Sequence, residues 1–251
     1  MHLEWHFTPN DVELVKGLVA NMGHTKIVLD RHNRNLKDEH PPVTVERLWH
    51  AMVCMRLTTM ARSGPGTPLS KFQSSRPFLL GDSGVHAHAD RHEFILQTIK
   101  KAEVGTHRKS IAKDLSDNFE SMEKDRWLGI LEQCNKLTDP HSRATESSVA
   151  GYVQKHLKGF GPKQSRNILQ ALGLTRWEIP LDSRVAKWLN KTLNFPPTIT
   201  PQALSDEHFY GLILDAICTL CERCDVLPCV FDASVFGLDD ADTWTEEELV
   251  Y

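Results

Sequence analysis

The chain has 251 residues and a formal net charge of −4, with 40% hydrophobic and 25% charged residues, the balance of an ordinary globular protein. No apolar run reaches the ~18–20 residues that a bilayer-spanning helix needs, and Met1–Asn10 lack the basic and then apolar pattern of a secretory leader. A cytoplasmic location is therefore expected, with the six cysteines present as free thiols or metal ligands; the mild acidity excludes indiscriminate coating of a polyanion but leaves room for a local basic face.

In chain order, residues 1–42 show no clear periodicity and stand as an N-terminal segment of uncertain role, with Asp30–Pro42 expected to be mobile. Residues 43–251 are expected to form the core of the protein in two helical lobes. Thr44 is placed to cap a helix whose apolar stripe is Val45, Leu48, Trp49, Met52 and Met55. The run Arg62-Ser63-Gly64-Pro65-Gly66-Thr67-Pro68 must end it. Helical spacing returns over about 89–102, 108–119 and 123–136, and Asp139-Pro140 breaks it. Two further helices, about 146–156 and 162–172, enclose a short turn, and Gly173 is placed to stop the second. Asp182 can cap a helix through Val185, Trp188 and Leu189, and a last long helix covers about 206–224. Nothing alternates with period two, so the fold class is all-α.

Charge is unevenly spread. Between Lys155 and Lys191 there are eight Lys/Arg and two acids, Glu178 and Asp182, whereas Leu238–Tyr251 carry six acids and no base. A basic stretch within an acidic chain points to one anionic partner met at one place. At its centre lies Leu157-Lys158-Gly159-Phe160-Gly161-Pro162-Lys163. Two glycines allow positive φ and close backbone approach, and proline is favoured at the first helical position. Uncapped N–H groups at such a helix start form a seat for phosphate. Lys155, Lys158 and Arg166 add charge beside it, so Lys155, Lys158, Gly159, Phe160, Gly161 and Arg166 are candidate nucleic-acid contacts.

Lys163 falls in the first turn of the second helix. The positive end of the helix dipole and neighbouring cations disfavour its charged form, and a neutral amine is a nucleophile that can attack a sugar C1′. Asp182, nineteen residues on, starts the next helix. A carboxylate there can stabilise positive charge developing on a sugar, besides acting as a plain N-cap.

Together the hairpin Leu157–Gly161, the lysine after Gly161-Pro162 and the turn Pro180-Leu181-Asp182 resemble the helix-hairpin-helix-GPD superfamily of DNA glycosylases, most clearly over Ser148–Leu189. The resemblance implies a base-flipping fold with a cleft for double-stranded DNA carrying an abnormal base, and Lys163 and Asp182 as the catalytic pair. A lysine at this place marks the bifunctional branch, which removes the base and then nicks the strand, and the segment looks most like the 8-oxoguanine glycosylases. Where many relatives carry a gap-filling glutamine this chain has Met60 and Ala61, and Arg62 and Ser63 follow as candidate DNA contacts. Arg62 and Phe72 are candidate wedge residues, although Phe72 fits core packing as well. The readings left open are a glycosylase for an oxidised purine, one for a bulky modified pyrimidine in foreign DNA, and a non-catalytic DNA-binding module. A monomer that acts on cytoplasmic or nucleoid DNA is expected.

Cys218, Cys221, Cys224 and Cys229 invite comparison with the iron–sulfur cluster of some superfamily members, which has a longer first gap. Cys218 and Cys221 share a helix face with Leu214, Ile217 and Leu220, which favours buried thiols. His86, His88 and His92 cluster without completing a ligand set. No metal and no cofactor is expected. The acidic stretch Asp239–Glu248 reads as a solvated end.

Overall fold

The computed structural model describes residues 4–59, 61, 64, 66–122, 124 and 126–240. Among them lie thirteen α-helices, one short 3-10 turn and no strand, and none of these helices is long and apolar enough to cross a membrane. The acidic stretch beyond Asp240, and with it Met60, Arg62 and Ser63, falls outside the described residues.

The helices form two apolar cores. The first belongs to residues 43–174 and contains α3 (Val45–Leu57), α4 (Pro68–Gln73), α5 (Asp82–His86), α6 (Arg91–Lys101), α7 (Arg108–Met122), α8 (Arg126–Asn135), α9 (Arg143–His156) and α10 (Pro162–Ala171). Thr44 caps α3, its hydroxyl accepting from the Arg47 N–H at 3.2 Å. Nine residues of α3 are buried on all sides of the helix, as expected of an element at the centre of a bundle. Trp49 is sealed in it, its indole N–H donating to the Leu80 carbonyl at 2.7 Å. Phe72 belongs to this core too: it is buried and lies edge-on to Phe78 at 5.6 Å. That removes it as a wedge residue, because a ring held by neighbours on every side cannot enter a base stack.

The second core is built from both ends of the chain. The N-terminal α1 (Pro9–Met22) and α2 (Lys26–Asn35) pack on α12 (Glu207–Cys224) and α13 (Pro228–Asp240), with α11 (Ser183–Thr192) beside them. Residues 30–35, read from the sequence as part of a mobile stretch, complete α2. Their pattern was hidden because the inward positions hold polar groups: Arg31 and Asn35 are buried, Arg31 on Asp232 of α13 at 3.0 Å and Asn35 on the Thr175 carbonyl at 2.9 Å. The helix α13 was not foreseen, since an apolar run opened by a proline carries no period. Cys218, Cys221, Cys224 and Cys229 are all buried here, and burial pushes the thiols of Cys218 and Cys229 up to about 12.

The chain passes from the first lobe to the second through residues 173–182, and this crossing fixes the functional region. Gly173 ends α10 at φ +81°, where a side chain would be strained. The carboxylate of Glu146, on α9 and fully buried, then accepts the backbone N–H groups of Arg176, Trp177 and Glu178 at 3.0, 2.9 and 2.5 Å, and His141 lies 3.2 Å away. From the other lobe the Tyr210 hydroxyl donates to the Ile179 carbonyl and accepts from the Leu181 N–H, both at 2.8 Å. With residues 176–181 stapled from both sides, little freedom is left to Asp182, the next residue.

Candidate active site

The hairpin between α9 and α10 is held from below by α7 and α3. The side chain of Asn118 clamps the Lys158 backbone, accepting its N–H at 2.9 Å and donating to its carbonyl at 3.0 Å. Gly159 stands at φ +79°, and a Cβ there would collide with Asp114 and with the Arg56 Nε at 2.6 Å. Arg56 and Asp114 form a largely buried ion pair at 2.6 Å, so Gly159 is demanded both by conformation and by close packing on that pair. Leu157 and Phe160 point into the core. Phe160 thus anchors the turn from inside and has no side-chain surface to offer a ligand.

Gly161 differs from Gly159. Its φ of −83° suits any residue, and a Cβ there would meet nothing within 4 Å. Neither strain nor packing explains a glycine at this exposed N-cap, which leaves the first turn of α10 without a side-chain cap. Bare N–H groups, a missing side chain and open space in front of them make a seat for an anion. Lys155 is exposed in the last turn of α9, and exposed Lys158 shares Asp117 with Lys113 at 2.9 and 2.8 Å.

Arg166 does not belong to this face. It is 5% exposed, with its Nε on Glu178 at 2.8 Å, one Nη on the Gln154 side chain at 3.1 Å, and its guanidinium 5.0 Å above the Tyr210 ring. On a helix whose inward face includes Gln164, Ser165, Ile168 and Leu169, position 166 turns into the lobe interface. Its charge serves the crossing segment and not a phosphate.

Lys163 sits half-buried in the first turn of α10. Its pKa is lowered, chiefly by burial; the carboxylates of Asp182 and Asp232 oppose the shift and Arg184 adds to it. The direction is the one read from the sequence, but the leading cause is loss of water and not the helix end. Asp182 caps α11: its Oδ1 accepts from the N–H groups of Arg184 and Val185 at 2.8 and 3.1 Å. That oxygen is saturated, so Oδ2, 3.7 Å from the Arg184 guanidinium, is the one left for other work. Arg184 lies 3.8 Å over the Phe236 ring. Lys163 and Asp182 thus act on one another electrostatically across the lobe boundary.

Residues that the sequence reading passed over complete the site. Gln164 donates to the Thr59 hydroxyl at 2.9 Å and accepts from Asn167 at the same distance, tying the start of α10 to the end of α3. Lys163, Asn167 and Ala171, one turn apart in succession, form the half-exposed stripe of α10. Ala171 lines an open pocket of about 780 Å³, walled mainly by the first lobe, with His50, Phe78, Arg34, Arg47 and Arg76 on its wall and neither Lys163 nor Asp182 among its lining residues. Asp232 carried a signal that could have been read: a single acid inside Val230-Phe231-Asp232-Ala233 must be buried and must have partners.

Among the described residues no three His, Cys, Asp or Glu side chains are arranged to hold a metal ion. His88 contacts the Gly84 carbonyl at 2.7 Å and stacks on Phe94 at 3.7 Å. Cys218 and Cys224 face the carbonyls of Trp177 and Val12.

A helical protein of two lobes, with a hairpin-borne lysine and a capping aspartate near their junction, has the fold seen in solved DNA glycosylases. Solved structures give the particular likeness. The 8-oxoguanine DNA glycosylase of Thermotoga maritima superposes with a TM-score of 0.65 at 12% identity, covering 94% of this chain and all of that one (100%). That of Methanocaldococcus jannaschii gives 0.63 at 12% over 93% and 96% of the two chains. The M. jannaschii 8-oxoguanine glycosylase/lyase in complex with a 15mer DNA containing 8-oxoguanine gives 0.63 at 11% over 92% and 100%. No protein-family model and no curated protein matches the sequence.

Proposed function

We propose that this protein is a DNA N-glycosylase with an associated AP lyase activity, acting on double-stranded DNA that carries a damaged or modified base. The observation that carries the reading is the pair Lys163 and Asp182: a half-buried amine with a lowered pKa, and a carboxylate acting on it whose Oδ1 caps α11 and whose Oδ2 lies 3.7 Å from Arg184, on a fold whose solved neighbour is a glycosylase/lyase bound to DNA.

In this reading the Gly161 turn holds the backbone and the target nucleotide leaves the stack, since its glycosidic bond is out of reach within the duplex. The Lys163 Nζ attacks C1′ as the C1′–N bond breaks, and the base departs with the electron pair and takes up a proton. Oδ2 of Asp182 stabilises the positive charge that develops on the sugar. The amine loses its proton, the ring opens to a Schiff base, and β-elimination releases the 3′ phosphate. These steps need no metal and no diffusible cofactor. The neighbours favour an oxidised purine such as 8-oxoguanine as the excised base. The second reading, a bulky modified pyrimidine, rests on Met60 and Ala61 standing where many relatives carry a gap-filling glutamine.

The test is borohydride trapping on duplexes carrying 8-oxoguanine, uracil, an abasic site or glucosylated hydroxymethylcytosine. A covalent adduct on one modified base, absent in Lys163→Gln, is the expected result and names the substrate. Tight binding with no adduct and no base release on any duplex would make this a non-catalytic DNA-binding module.

A further inference from the structure

Arg166 takes no part in the chemistry above, yet its one side chain reaches towards both members of the proposed pair. It follows Lys163 by three residues on α10 and is 5% exposed. One Nη donates to the carbonyl of Pro162, the residue before Lys163, at 3.2 Å, and to the Gln154 side chain of α9 at 3.1 Å. The Nε donates to Glu178, four residues before Asp182, at 2.8 Å. The guanidinium lies 5.0 Å from the centre of the Tyr210 ring, and the hydroxyl of that ring grips Ile179 and Leu181.

These contacts meet a need that the sequence creates. Gly161 gives the first turn of α10 no side-chain cap, and a helix start without a cap frays unless other contacts hold it. Here the Pro162 carbonyl is held, by the Ser165 hydroxyl at 2.9 Å and by Arg166. Asp182 begins a helix of the other core, at the end of the crossing. Arg166 thus spans from the turn that carries Lys163 to the segment that ends in Asp182. The span depends on the planar fork of a guanidinium, whose separate N–H groups bond the two sides at once.

We infer that Arg166 is a positioning residue, which fixes the turn bearing Lys163 against the crossing that ends in Asp182 and so keeps amine and carboxylate in register. This deepens the glycosylase reading and rests on it for the roles of the pair. The consequence is selective. Base release needs the amine and the carboxylate placed on the same sugar, whereas Schiff-base formation at a site already without its base needs the amine alone. A loosened register slows the first reaction and spares the second, and a shift of about 1 Å can cost on the order of 10²-fold. A smaller folded fraction would lower both rates equally.

The experiment measures, in single turnover, base release from the modified duplex that the wild type processes and borohydride trapping on an abasic-site duplex, with duplex affinity and thermal midpoint alongside. In Arg166→Lys the ammonium keeps the ion pair with Glu178 but has no second arm for the Pro162 carbonyl. Base release should fall about ten-fold or more, with Kd unchanged and trapping close to the wild-type rate. If Arg166→Lys does not fold, Arg166→Met/Glu178→Leu removes both charges, an exchange that buried pairs often tolerate, and severs the same link; the same split between the two rates is expected. A wild type that performs both reactions, with variants whose two rates fall in parallel or not at all, overturns the inference and leaves the glycosylase reading standing. A wild type that performs neither refutes that reading and the inference with it.

Discussion

Tyr210 and Leu181 are joined by a buried hydrogen bond, the Leu181 N–H giving to the phenolic oxygen at 2.8 Å while the same hydroxyl gives to the Ile179 carbonyl at 2.8 Å. Tyr210 has no exposed surface, and its burial holds the phenol well above the ordinary tyrosine range, so it serves as donor and acceptor and never as an acid. Replacing it with phenylalanine leaves one carbonyl and one N–H unpaired in the interior. The expected loss is about 1–3 kcal/mol, read from denaturant unfolding. Because Asp182 follows directly, base release should slow further than global destabilisation explains.

The two hairpin glycines should separate fold from ligand binding. Gly159→Ala puts a Cβ at positive φ into Asp114 and Arg56; it should cost about 1–3 kcal/mol and weaken DNA binding only through the distorted turn. Gly161→Ala meets nothing and should leave stability within about 0.5 kcal/mol while duplex affinity falls several-fold. Full duplex affinity in Gly161→Ala or Gly161→Asp would refute the phosphate seat.

The contrast between these glycines shows how far the sequence could be read. Both glycines, Pro162 and Asp182 announce themselves by type and spacing, because backbone chemistry at a helix start depends on local residues. The direction a helical side chain faces is equally local in principle, yet Arg166 was misjudged: its inward turn depends on Glu178 and Gln154, one beyond the lobe crossing and the other on a different helix. The N-terminal helix α2 was illegible for the same reason, since Arg31 and Asn35 are core residues only because Asp232 and Thr175 come from 201 and 140 residues away. Period-based reading sees apolar burial and is blind to polar burial satisfied at long range.

His141 should give the interface a pH signature. Burial opposes its charge, but the Glu146 carboxylate and the Asp139 carbonyl outweigh that and raise its pKa above 6.5. A raised folded pKa means stabilisation that is fully present below the ordinary value and is lost as pH rises through the folded one. The difference in unfolding free energy between wild type and His141→Gln should therefore shrink as pH rises above the ordinary histidine pKa of about 6.5. A difference constant through that rise would show that the ring acts by packing alone.

Asp182→Asn tests capping and chemistry apart. Asparagine keeps an oxygen for the Arg184 and Val185 N–H groups, and it caps helices as well as aspartate does. Thermal stability should stay close to wild type while base release falls on the order of 10²–10³-fold. A fall in rate matched by an equal fall in folded fraction would leave Asp182 as a cap and nothing more.

The basic face is held in check by a carboxylate of its own. Lys158 reaches Asp117 at 2.9 Å, and Asp117, which also takes Lys113, has its pKa lowered by these two hydrogen bonds. Exposed pairs of this kind are weak, so a DNA phosphate can compete for Lys158, but it must first displace a carboxylate. Asp117→Asn removes the competitor and should tighten binding to any duplex. Lys155→Ala and Lys158→Ala should each weaken binding regardless of sequence and flatten the dependence of log Kd on log salt by about one phosphate contact. Arg166→Ala, by contrast, should lower the unfolding midpoint with an unchanged salt slope, because its charge is spent on Glu178. Salt titrations of duplex affinity across these four variants decide the matter: a reduced slope in Arg166→Ala would mean that this arginine reaches a phosphate, and unchanged slopes in both lysine variants would move the DNA-binding face away from the hairpin.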